Sequence, residues 1–200
     1  MPTPTGTRRS ATGEKPAAVA PNRSNRIRLI AYWVTTFVIL AELLAGAAWD
    51  LFTIDWMEDQ LDHLGYPDYF AYILGVCHVA AAITIAVPGF GLVKEWAYAG
   101  VCFMWSGAAV SYLALGDAPV SWAPPLMFVA FAVASWALRP AGRRAGGHAT
   151  DRPRAHPREW TASIGLLVAL SAVSLLTLPI TADITSDWAV ERGWVDEQRP

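Results

Sequence analysis

Two ionisable side chains stand inside runs that are otherwise apolar: Glu42 in "VILAELLAGAAWD" and His78 in "ILGVCHVAAAITIA". A carboxyl and an imidazole in a low-dielectric setting can share a proton, relay one, or hydrogen-bond the carbonyl or hydroxyl of a lipophilic ligand. Ser106, in "VCFMWSGAAVSYL", offers a hydroxyl that could join them. Whether these three meet depends on the elements that carry them.

The composition sets the medium. Hydrophobic residues make up 54% of the 200 and charged residues 16%, against about 25% charged in a soluble domain. Five stretches, 28–50, 69–91, 96–115, 120–138 and 160–181, are each long enough to cross roughly 30 Å of hydrocarbon. Pro179 is expected to close the fifth early. Residues 51–66 are too polar to span. There Leu51, Ile54, Met57, Leu61 and Leu64 recur at helical spacing, with Asp55, Glu58, Asp59 and Asp62 between them. That pattern predicts an amphipathic helix lying on the outer surface or capping the bundle.

The expected fold is therefore an all-α membrane protein. A four-helix transmembrane bundle would occupy 28–138, followed by a fifth transmembrane helix at 160–181. Residues 1–27 read as a disordered, basic cytoplasmic tail. Residues 139–159 read as an Arg-rich cytoplasmic loop, and 182–200 as an acidic extracytoplasmic tail. Orientation follows from the basic residues. Thirteen of the fifteen Lys and Arg fall before or at the first residue of the first span, between the second and third, or between the fourth and fifth. A cytoplasmic N-terminus and an outside C-terminus result.

Depth can be counted at about 1.5 Å per helical residue. Glu42 lies eight residues from Asp50, roughly 12 Å under the outer edge. His78 lies ten residues past Asp68, roughly 15 Å under the same edge. Ser106 falls at roughly 16 Å on the third span. A Glu42–His78 contact is expected on this count, with Gly46 giving room for close approach. Asp50 and His63 are expected at the interface and in water. Trp105 is expected to pack between helices.

A carboxylate near mid-bilayer costs about 2.5–3.5 kcal/mol on insertion scales, and sharing a proton with His78 would remove most of that cost. The bland alternative is an interhelical clasp worth only about 1 kcal/mol. Cys77 and Cys102 fall at different depths and read as small packing residues rather than a disulfide. No P-loop, dinucleotide fingerprint or triad-like constellation occurs, so no catalytic residue is assigned. His148 and His156, eight apart without a cysteine, make a poor metal site. Nothing points to nucleic acid.

Four strings carry a family resemblance: "YWVTTFVILAELLAGAAWDL", "HLGYPDYFAYILGV", "VPGFGLVKEWAYAGVCFMWSGAAVSYLALGD" and "WAPPLMFVAFAVASWALRP". The chain resembles the DoxX-like family of bacterial integral membrane proteins over about residues 29–140, most specifically at Lys94–Gly100 and Leu64–Pro67. The resemblance implies a four-helix bundle in the bacterial cytoplasmic membrane and an accessory role in a membrane redox system. A quinone would then be the ligand, and the loop 139–159 a surface for the redox partner. Residues 141–200, with their fifth span, depart from a four-span relative. The rival expectations are a non-catalytic membrane scaffold or assembly protein, and, less favoured without paired broken spans, a small-molecule transporter.

Overall fold

The computed structural model describes residues 23–140, 156–185 and 187–194. Seven helices follow one another: α1 (Arg23–Leu51), α2 (Asp55–Leu64), α3 (Tyr69–Ala86), α4 (Gly91–Leu115), α5 (Pro119–Leu138), α6 (Pro157–Thr185) and α7 (Trp188–Glu191). Five of them are long and apolar enough to cross a membrane, and no strand occurs among the described residues. The protein is an all-α membrane protein. Helix is the economical choice here, because a segment in hydrocarbon must satisfy its backbone internally.

Helices α1, α3, α4 and α5 close into a four-helix ring, and α6 lies outside it against α1 and α3. The core of that ring is Ile39, Leu40 and Leu43 of α1, Ala82 and Ile85 of α3, Val101 and Trp105 of α4 and Ala132 of α5. Trp105 packs there as expected, 5.4 Å from the Phe128 ring. The opposite faces carry exposed apolar side chains such as Val110, Val133 and Leu176, the pattern of a bundle whose outer solvent is lipid.

The helix ends differ from the sequence-based bounds in two informative ways. Helix α1 begins at Arg23, inside the expected tail, whose residues 1–22 lie outside the described residues. Helix α6 runs through Pro179 to Thr185 instead of closing early. Pro179 removes only the N–H that would bond the Leu175 carbonyl. The helix continues past it, with the Thr181 and Thr185 hydroxyls donating to the Leu178 and Thr181 carbonyls in the turns beyond; membrane helices tolerate such a proline. Residues 141–155 of the Arg-rich loop and 195–200 of the acidic tail also lie outside the described residues.

Helix α2 has the predicted amphipathic pattern, and it caps one end of the bundle. Gly65, with φ +75°, ends it in a left-handed turn that an L side chain enters only at a cost. Beneath it Ile54, Trp56, Met57 and Leu61 pack on Ala71, Phe70 and Leu74 of α3 and on Ala189 and Trp194 of the C-terminal segment. The start of α3 therefore stands beside α2, and α3 meets the end of α1 at Gly75. That displacement decides which residues meet.

Candidate functional site

His78 meets Asp50, not Glu42. Its Nδ1 lies 2.7 Å from Asp50 Oδ2, and Asp50 is 0% exposed. The depth count took Asp50 and Asp68 as one level, yet α3 stands roughly two turns higher than that count assumes. Asp50 is consequently roofed by the α2 cap instead of lying at an interface. This corrects both the expected Glu42–His78 contact and the expectation for Asp50.

The pair forms because two helices approach closely, and a glycine on each permits it. A Cβ on Gly46 would sit 3.2 Å from His78 Cε1, and one on Gly75 would sit 2.7 Å from Leu51 Cγ and 3.1 Å from Asp50 Cβ. Gly46 lies one turn from Asp50 on α1, and Gly75 one turn from His78 on α3. Any larger side chain at either position would push the imidazole or the carboxylate out of place.

With Asp50 accepting, Nδ1 is the donor, which fixes the tautomer and leaves Nε2 as the ring nitrogen with work to do. His78 borders a cavity of about 470 Å³ together with Glu42, Gly46 and Asp50. That volume falls in the range of small-molecule sites, roughly 300–1,000 Å³. Its walls are largely aromatic, with Trp49, Phe70, Phe103, Trp105, Tyr112 and Phe128 prominent. Glu42, half-buried, is two turns below Asp50 on the same face of α1. The cavity thus brings Glu42 and His78 to one space without a direct bond between them.

Ser106 does not join them. Helix α4 turns Phe103, Met104, Ala108 and Tyr112 to the cavity, and at helical spacing Ser106 falls on the opposite side of the helix. The arrangement therefore offers an imidazole held by a buried carboxylate, plus a second carboxyl, against an aromatic wall. Such a set can donate to or accept from a ligand oxygen.

The cap-side end of the cavity, its mouth, is lined by residues that sequence reasoning did not connect. Trp188, Arg192 and Trp194 line it together with Trp56 of α2. His63, expected to be solvated, stacks on Trp194 with ring centroids 4.6 Å apart and bonds Asp117 at 2.9 Å. The single ring thereby ties α2 to the α4–α5 turn and to the C-terminal segment.

A second polar cluster occupies the other end of the bundle. Ser135 bonds Thr36 at 2.7 Å and Tyr98 at 2.9 Å. Arg139 lies over the Tyr98 ring and pairs with Glu95. Between this cluster and Glu42 lie Ile39 and Leu40, at 0% and 1% exposure. An apolar layer thus separates the Asp50, His78 and Glu42 groups from the Ser135 cluster. Cys77 is exposed and Cys102 half-buried against the core, both unbridged, so only Cys102 packs as expected.

A family model described as the DoxX-like family matches residues 34–135. The match covers the four-helix ring and α2, and it ends before α6 and α7 begin. No curated protein and no solved structure matches the chain.

Proposed function

The chain belongs to the DoxX-like family, and we propose that it holds a lipophilic ligand whose polar head is read by His78 and Glu42. The observation that carries this reading is the Asp50–His78 bond, 2.7 Å long, set in the wall of a mainly apolar cavity rich in aromatic rings. A bare clasp between two helices needs no cavity beside it. An imidazole oriented by a carboxylate is the arrangement used where the other ring nitrogen must face a partner.

A quinone is the ligand class that suits these groups. Its oxygens are acceptors when oxidised and donors when reduced, and an imidazole and a carboxyl can each take either role. The aromatic walls would stack on its ring. Electrons would come from a membrane redox partner, with this protein as an accessory subunit docked through the loop 139–159. The positive-inside pattern supports a topology with that loop in the bacterial cytoplasm and the α2 cap outside. The apolar layer of Ile39 and Leu40 favours proton exchange between cavity and cap side over relay across the membrane.

The test is thermal stability of the full chain in detergent, with and without a short-tailed quinone. The quinone is expected to raise Tm for the wild type, and Glu42→Gln with His78→Ala should abolish the rise. An equal rise in that double variant, or none in the wild type, would overturn the reading.

A further inference from the structure

Arg192 is a cation in the cavity lining that the described residues hold mainly by ring faces. Its guanidinium carbon lies 4.7 Å from the ring centroid of Trp56, 5.4 Å from that of Trp188 and 5.6 Å from that of Trp194. Nη1 donates to the Trp188 carbonyl at 3.3 Å, whereas Nε is buried and has no hydrogen-bond partner. No salt bridge reaches Arg192 among the described residues. Indole faces attract a cation, but they neither accept a hydrogen bond in its plane nor cancel its charge. Stapling the C-terminal segment onto α2 would need only the ring contacts.

We propose that Arg192 is a ligand-contacting residue, and that the cavity takes an elongated amphiphile bearing a carboxylate at the mouth end. This rests on the reading of Glu42 and His78 as the polar floor, because both ends belong to one cavity. An orphan guanidinium donor at the mouth and a carboxyl–imidazole floor define a ligand with a neutral hydrogen-bonding group at one end and an oxyanion at the other. The guanidinium fork matches a carboxylate in charge and geometry. Residues 188–194 lie beyond the part matched by the family model, 34–135, so this end of the site is supplied by the chain's own C-terminal extension. The extension would then set which ligand the family-matched bundle holds, not merely cover it.

A matched pair of probes separates the two ends: 10-hydroxydecanoate and 1,10-decanediol share the hydroxyl for the floor and differ only at the mouth. Titration calorimetry on the full chain in detergent should show the carboxylate binding about tenfold more tightly than the diol, the scale of one charge-assisted hydrogen bond. Arg192→Gln should remove that preference by weakening the carboxylate more than the diol, and Arg192→Lys should keep part of it. A preference unchanged in Arg192→Gln, or an equal loss for both probes, would overturn the inference and leave Arg192 as a staple. If a short-tailed quinone binds the wild type and neither chain probe does, only the mouth assignment falls. If none of the three binds, the floor reading falls with it.

Discussion

Removing His78 should damage the protein more than removing Asp50, and removing both should cost no more than removing His78 alone. Asp50 is 0% exposed, and its Oδ1 has no partner even in the intact protein. His78→Ala therefore strands a buried carboxylate with nothing to answer its charge. Breaking such a pair from one side costs about 3–5 kcal/mol in soluble proteins, and about 3 kcal/mol is expected here because the unfolded chain in a micelle also finds partners. Asp50→Ala leaves only a neutral imidazole N–H unpaired, for about 1.5 kcal/mol. The double variant strands neither group, so it should lose no more than His78→Ala, at most about 3 kcal/mol against a sum of about 4.5, a coupling of at least about 1.5 kcal/mol. Reversible unfolding in mixed micelles titrated with SDS measures all four corners. Strict additivity, or a double variant clearly less stable than His78→Ala, would refute the claim that these two groups are one buried unit.

The remaining predictions probe the scaffold around that unit. Gly46→Ala places a Cβ 3.2 Å from His78 Cε1, so it should cost about 1–2 kcal/mol in the same titration and remove the quinone-induced Tm rise. A destabilised variant that keeps the full rise would show that the ring position is not critical. Truncation after Thr185 uncovers Trp56, now 8% exposed, so acrylamide should quench the emission component lost in Trp56→Phe more strongly than in the full chain. Equal quenching would mean that residues 188–194 do not cover the cavity. A reporter active only in the periplasm should be active when fused after Pro200, and an inactive fusion would contradict the odd number of membrane crossings.

The long elements were legible because membrane spans announce themselves by length and by the absence of charge. Residues 51–66 were legible through their spacing of Leu, Ile and Met, and α2 occupies Asp55–Leu64 of that stretch. His78 and Glu42 were legible as ionisable groups out of place. Their partner was not, because counting depth from Asp50 and Asp68 treats the membrane edge as flat. The actual level of α3 is set by tertiary packing of Phe70, Ala71 and Leu74 against α2, which no local pattern encodes. One signal was available: Glu42, Gly46 and Asp50 fall at i, i+4 and i+8 on one helical face, which aligns Asp50 with the glycine that admits His78. The Arg192 cage gave no comparable signal, since Trp56 and Trp194 are brought together only by the return of α6. Ser106 had the right depth and the wrong face.

The central claim is that the cavity beside His78 holds a lipophilic ligand. Mass spectrometry of organic extracts from detergent-purified protein tests it most directly, comparing the wild type with the Glu42→Gln, His78→Ala variant purified identically. The account predicts a lipophilic, oxygen-bearing compound distinct from the bulk phospholipids, in near-stoichiometric amount with the wild type and depleted in the variant. Extracts that match in every component would contradict it.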